Sequence, residues 1–291
     1  MDRPNDGPCR RLLIVGCGYV GMRVAERCIA TGIHVSALTR SSQRVNELQN
    51  VGIAPIVADW NGQLPTLAEF DYVLVSVPHR EGENHDGEQT HVHGLARLLG
   101  SLPSGWCKLL YLSTTGVYGD CPGQVVDEST EPSPTRLGPR IALAAEDWLI
   151  QNVAKEKLAI LRLAGIYGPG RLPLISRVIA GEALAVPAAG YVNLVHVEDI
   201  ARMIMIVFST RLELSTYVFS DGHPVQRRCF YGHAAQLCQA PAPVFVDPAA
   251  GDNSARRATD KRVNPQRLLA ETNFVFDYPD YRIGLENLLP S

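Results

Sequence analysis

The sequence predicts an α/β protein: a doubly wound parallel sheet with a smaller C-terminal substrate-binding lobe. Three observations carry that expectation. Short apolar runs alternate with helix-spaced patterns through the first half of the chain, a glycine-rich turn joins the first run to the first helix, and beyond Gly170 prolines break the pattern into short pieces.

The elements run in order from the N-terminus. Residues 1–10 are polar, carry Pro4, Asp6 and Pro8, lack the apolar stretch of a signal peptide, and read as a disordered tail. Arg11–Val15 reads as the first strand. Val20, Val24, Ala25 and Cys28 then recur at helical spacing until Gly32 stops the helix, and 34–38 supplies the second strand, completing one βαβ unit. Further strands are expected at 54–58, 72–77, 108–112 and 159–163, with helices at 91–102 and 140–151 before the last two. Pro173, Pro187, Pro224, Pro241 and Pro243 punctuate the remainder of the chain. A helix at 197–208 and a strand at Thr216–Phe219 are expected to return to the main sheet. The resulting division is a dinucleotide-binding domain at 11–170, joined by 194–220, and a smaller lobe within 171–291.

Composition narrows the partners. The chain has 291 residues, 46% of them hydrophobic, and a formal charge of -3, with no basic run to attract nucleic acid or an anionic membrane surface. A small-molecule substrate is expected, bound by a monomer or homodimer. Seven cysteines without a Cys-x-x-Cys pair argue against a disulfide framework or zinc site and favour a reducing, cytoplasmic setting. No stretch reaches the roughly 18 uncharged apolar residues of a membrane span; even 200–209 carries Arg202.

Between the first strand and helix stands Gly16-Cys17-Gly18-Tyr19-Val20-Gly21, a G-x-G-x-x-G in the context that gives it meaning. Gly16 permits the tight turn, Gly18 lets the backbone approach a pyrophosphate, and Gly21 lets helix and strand pack closely. The free N–H groups of the helix opening at Tyr19 and Val20 face the anion. This is a Rossmann-type NAD(P) site. An NAD-selective site carries an acidic residue about 20 residues further on, at the end of strand two. Here that place reads Thr39-Arg40-Ser41-Ser42, where Arg40 and Ser41 suit a 2′-phosphate. NADP is therefore favoured over NAD; the alternative is that Arg40 is a solvated loop residue.

Three further strings bear on the active centre: Leu112-Ser113-Thr114-Thr115-Gly116-Val117-Tyr118-Gly119, Ile166-Tyr167-Gly168-Pro169-Gly170, and Asn193-Leu194-Val195-His196-Val197-Glu198-Asp199. With the glycine loop they resemble the extended short-chain dehydrogenase/reductases, the NAD-dependent epimerase/dehydratase family that acts mostly on nucleotide sugars; the loop itself is similar to that of the atypical members. The resemblance implies that Thr114 hydrogen-bonds the reacting substrate oxygen, that Asp59 contacts the adenine amino group, and that Val77 and Pro78 line the cofactor. It also implies substrate contacts near Tyr167 and His196.

The family's Tyr-x-x-x-Lys pair is missing. Gly138 falls where the tyrosine belongs and Ala142 where the lysine belongs, and no tyrosine lies between Tyr118 and Tyr167. A phenol of pKa about 10 needs a neighbouring cation to transfer protons near neutral pH, and neither residue can supply phenol or cation. Tyr118 is either a replacement acid or packing support. Arg136 and Arg140 either bind an anionic substrate group or are solvated charges at a helix start.

His79, His85, His91 and His93 cluster with Glu81, Glu83, Asp86 and Glu88. They read as a polar loop leading into a helix, and no metal is expected. Asp199 reads as a first-turn carboxylate facing its helix dipole. Two functions stand against each other: an epimerase/dehydratase-like or oxidoreductase enzyme with a non-standard active site, and a non-catalytic NADP-binding sensor or scaffold.

Overall fold

The computed structural model describes residues 10–78, 87–247 and 259–289. Seven strands build the main sheet: β1 (Arg11–Val15), β2 (His34–Thr39), β3 (Ala54–Val57), β4 (Tyr72–Val75), β5 (Lys108–Thr114), β6 (Leu158–Leu163) and β7 (Thr216–Phe219), in the order β7-β6-β5-β4-β1-β2-β3. The pairs β1–β2, β2–β3, β1–β4 and β4–β5 are parallel, with Arg11 opposite His34 and Leu12 opposite Tyr72. The helices are α1 (Tyr19–Ala30), α2 (Val45–Asn50), α3 (Gly87–Ser101), α4 (Leu137–Asn152), α5 (Ile175–Ile179), α6 (Val197–Ser209), α7 (Arg227–Leu237), α8 (Gln266–Thr272) and α9 (Tyr281–Leu288).

This is the doubly wound α/β fold the sequence predicts. The strand order reverses at β1, and a ligand crevice in such sheets opens at that switch point, outside the carboxyl ends of the strands. The glycine loop occupies that position because it directly follows β1. All but the first residue of β1 and all of β4 are buried, matching their unbroken apolar runs. α1 buries Val20, Gly21, Val24, Ala25 and Cys28, and the chain leaves it through Gly32 at φ 80°.

Element ends differ from the sequence expectation in instructive places. β5 continues to Thr114, two residues beyond the expected end, which sets that hydroxyl at the strand's carboxyl end. α4 begins at Leu137 instead of Arg140, because Pro139 sits in the first turn, where its missing N–H costs no helical hydrogen bond. Four short two-stranded pairings, such as 261–263 with 124–126 and 194–196 with 165–167, were not expected. At two or three residues each they carry no readable periodicity.

The chain divides into two compact units. The first takes the described residues of Met1–Leu112, Ala144–Ile160 and Ile204–Ser215, and the second those of Ser113–Leu143, Leu161–Met203 and Thr216–Ser291. In the first, Leu13, Val15, Val73, Val75, Leu109 and Leu149 belong to one apolar core. In the second, Tyr167, Ile175, Phe230, Tyr231 and Leu285 form one cluster, and Val117, Tyr118, Val126, Ala142, Val218 and Val263 form another. Nearly all of the tail 1–10 lies outside the described residues. Among those described, no helix is long and apolar enough to cross a membrane.

Candidate functional site

In the first unit the three glycines have three different environments. Gly16 adopts φ +87°, and a Cβ there would stand 2.6 Å from the Ser76 carbonyl oxygen, so the turn and its packing both demand glycine. A Cβ on Gly21 would meet Gly16 O and Ile14 Cγ2, each at 3.1 Å, the close helix–strand approach expected of this position. Gly18 differs: among the described residues nothing lies within 4 Å of its Cβ position, and the residue is exposed. A cradle is left open where the backbone would meet a phosphate. α1 has no side-chain cap, and its first turn carries no acidic residue, so nothing in that turn opposes an anion. Tyr19 is half-buried with Arg23 over its ring at 4.3 Å, and Val20 is buried in support of the turn. The Cys17 thiol, between the glycines, is pushed up to about 11 by burial and stays protonated.

At the end of β2, Thr39 Oγ1 accepts the Ser41 N–H at 3.3 Å and Arg40 is exposed. A second cation stands beside them. Arg44 Nη1 donates to the Cys17 carbonyl at 2.6 Å, while its Nε and Nη2 donate to the Glu47 carboxylate at 3.0 and 2.9 Å. Sequence reasoning missed this residue, because the chain must turn through a 3-10 segment at Ser42–Arg44 before the side chain reaches back to the glycine loop. Asp59 is exposed and its Oδ1 accepts the Asn61 N–H at 2.9 Å. Val77 is half-buried and Pro78 exposed.

In the second unit, Thr114 is half-buried at the end of β5. Its Oγ1 accepts the Gly116 N–H at 3.0 Å, and its own proton has no acceptor among the described residues. That arrangement orients a donor. A Cβ on Gly116 would lie 3.2 Å from Thr114 Oγ1 and 3.5 Å from Arg136 Nη2, so the Arg136 guanidinium attends the same turn. Arg140 is exposed. Ala142 is buried in the apolar cluster with Tyr118 and supplies no cation. Tyr118 is 1% exposed; its hydroxyl donates to the Asp127 carbonyl at 2.7 Å and accepts from Arg162 Nη1 at 2.9 Å. A phenol held this way supports the loop.

Tyr167 and His196 are both buried. The His196 ring stacks on Tyr278 at 3.6 Å and meets Tyr167 edge-on at 5.1 Å, while the Tyr167 hydroxyl leaves no room for a Cβ on Gly284. These contacts are those of a core. Asp199 does more than face its helix dipole: it accepts the backbone N–H groups of Asp277 and Tyr278, both at 2.9 Å, and pairs with Arg202 at 3.0 Å. Beside this core, Asp221 is buried, one carboxyl oxygen accepting the His223 N–H at 2.9 Å and the other without a partner among the described residues. Burial pushes its carboxyl up to about 8.

Among the described residues no group of three or more His, Cys, Asp and Glu side chains is arranged to hold a metal. His91 is buried against Trp60 and Tyr111 and His93 is exposed, as their two-residue spacing on a helix requires. His79, His85, Glu81, Glu83 and Asp86, and the side chain of Glu88, lie outside the described residues.

Comparison with known proteins bears on this arrangement. A model of the NAD dependent epimerase/dehydratase family matches residues 12–217. Protein YeeZ of Escherichia coli K12 is 30% identical over 281 residues, covering 93% of this chain and 97% of that protein. A solved structure of a functionally unknown conserved protein from Silicibacter pomeroyi is 29% identical with a TM-score of 0.78, covering 96% of this chain and 98% of that one. MoeE5 in complex with UDP-glucose and NAD shares the fold at a TM-score of 0.74 and 21% identity, covering 94% of this chain and 96% of that one.

Proposed function

The chain belongs to the NAD dependent epimerase/dehydratase family, and from that premise we propose that it is an NADP-preferring enzyme with a non-standard active site, acting on a nucleotide-linked or other small polar substrate. One observation carries the cofactor part. The open backbone cradle at Gly18, between a β1 end that accepts only glycine at position 16 and an uncapped helix start, fits a dinucleotide pyrophosphate. Thr39, Arg40 and Ser41 at the end of β2 would receive the adenosine ribose, with the Arg40 charge favouring a 2′-phosphate. Asp59, Val77 and Pro78 would border the adenine. When bound, the nicotinamide would supply hydride transfer.

The chain's own contribution to chemistry rests on Thr114. Its free hydroxyl proton suits donation to a substrate oxygen, and Arg136, with Arg140 further along α4, would hold an anionic group of the substrate. Tyr118, Tyr167 and His196 would act by supporting these elements. The domain assignment stands as part of the same proposal: 11–170 with 194–220 for the cofactor, and the remainder of 171–291 for the substrate, in a monomer or homodimer. The free cysteines support a cytoplasmic setting.

A second reading has its own observation. Gly138 and Ala142 supply neither a phenol nor a cation, which favours a non-catalytic NADP-binding sensor or scaffold. Titrating the purified protein with NADP and NAD, then assaying nucleotide sugars with the preferred cofactor, separates the two. Cofactor binding with turnover of any substrate supports the enzyme; binding without turnover across the panel supports the sensor. Binding of neither cofactor overturns both.

A further inference from the structure

We infer that Arg44 reads the cofactor's 2′-phosphate beside Arg40, and that Glu47 is a built-in competitor for that phosphate. The inference rests on the NAD(P) reading of the glycine loop and goes beyond it, because the sequence at the end of β2 points only to Arg40 and Ser41.

The geometry carries it. Arg44 ends the 3-10 turn that comes after β2, and its Nη1 donates to the carbonyl of Cys17, the residue between Gly16 and Gly18. A cation is thus fixed on the backbone of the phosphate-binding loop and half-buried against it, whereas Arg40 is exposed. A guanidinium has five N–H donors in a rigid fork. Among the described residues three are committed, one to Cys17 and two to Glu47, which leaves one on each terminal nitrogen.

The two partners of Arg44 differ in kind. The Cys17 carbonyl belongs to the turn and fixes where the cation stands. The Glu47 side chain is 53% exposed, and an exposed ion pair of this kind contributes little to stability and exchanges readily. A phosphate dianion offers the same planar fork more charge and more acceptors than a carboxylate does. NADP would take the two donors that Glu47 now holds, and Glu47, kept ionised by Arg44, would turn into water. NAD offers only a 2′-hydroxyl and would leave the pair intact. Glu47 then sets how far the site prefers NADP: its charge lowers the attraction for phosphate without touching the pyrophosphate cradle.

The test is the dissociation constant of NADP and of NAD for the wild type, Arg44→Ala and Glu47→Gln, measured by protein-fluorescence quenching at low salt. Arg44→Ala also removes the bond to Cys17, so loosening of the loop would weaken both cofactors alike; their ratio is therefore the quantity to read. The expected result is a loss of about tenfold or more in NADP-over-NAD selectivity for Arg44→Ala and a gain of roughly threefold to tenfold for Glu47→Gln, the range of a charge-assisted contact and of a removed like charge. Equal weakening of both cofactors by Arg44→Ala would make Arg44 a brace of the loop and overturn the inference. Unchanged selectivity in Glu47→Gln would overturn the competitor role. A wild type that binds neither cofactor would instead overturn the NAD(P) reading beneath it.

Discussion

Replacing Asp221 by asparagine should change how stability depends on pH, and the structure sets both sign and size. The carboxyl is buried in the second unit, has one oxygen without a partner among the described residues, and is raised from 3.8 to about 8, chiefly by burial. Because the folded value exceeds the unfolded one, the native state holds this proton more tightly than the unfolded chain does. The group's stabilising contribution is fully present below about pH 4 and is lost as pH rises toward 8. At 1.36 kcal/mol per pH unit, the wild type would lose at most about 4 kcal/mol between pH 5 and pH 8 from this group alone. Asp221→Asn cannot ionise, so that slope should vanish. Its amide would itself lack a partner on one side, at a pH-independent cost of about 1–3 kcal/mol. The two stability curves should therefore cross between about pH 4.5 and 6: the wild type is more stable at pH 4 and the variant at pH 8. Urea unfolding from pH 4 to 9 measures both curves. Parallel curves would refute the reasoning, because they would mean that Asp221 is ionised in the native state throughout.

Three further outcomes are expected. Gly16→Ala should destabilise the first unit by about 1–3 kcal/mol in urea unfolding, since alanine at φ +87° is strained and its Cβ would collide with the Ser76 carbonyl. Tyr118→Phe should cost about 1–3 kcal/mol by stranding the Asp127 carbonyl and Arg162, while NADP affinity stays unchanged; a variant as stable as the wild type would make Tyr118 a candidate proton donor again. Turnover of common nucleotide sugars, monitored by nicotinamide absorbance and product chromatography, should stay below about 1 s⁻¹ for want of a Tyr-Lys pair; faster turnover would require another acid or base near Thr114.

The sheet was legible because its strands are coded by composition. Buried parallel strands need unbroken apolar runs, and Arg11–Val15 and Thr216–Phe219 are recovered to the residue. The glycine turn was legible for a different reason: φ +87° and the Ser76 carbonyl leave residue 16 no substitute for glycine, and residue 21 packs closely on Gly16 and Ile14. The second unit was harder to read. Its short pairings are fixed by side-chain bonds from distant segments, as where Asn193 bridges to Lys261 and Val263, and no local period encodes such contacts. Arg44 was missed for a related reason. Its position is set by a carbonyl 27 residues away, which no spacing rule within the loop reveals. Likewise the burial of Tyr167 and His196 comes from Gly284 and Tyr278, far along the chain from the motifs that drew attention to them.

Whether the glycine loop holds a dinucleotide is tested directly by NADP affinity for the wild type and for Gly18→Val under identical conditions. A Cβ at residue 18 would meet nothing within 4 Å among the described residues, so the variant should fold and melt like the wild type. It would instead occupy the space into which the pyrophosphate must come. The wild type should bind NADP saturably and the folded variant not at all; equal affinity in the two proteins would mean that the loop holds no pyrophosphate.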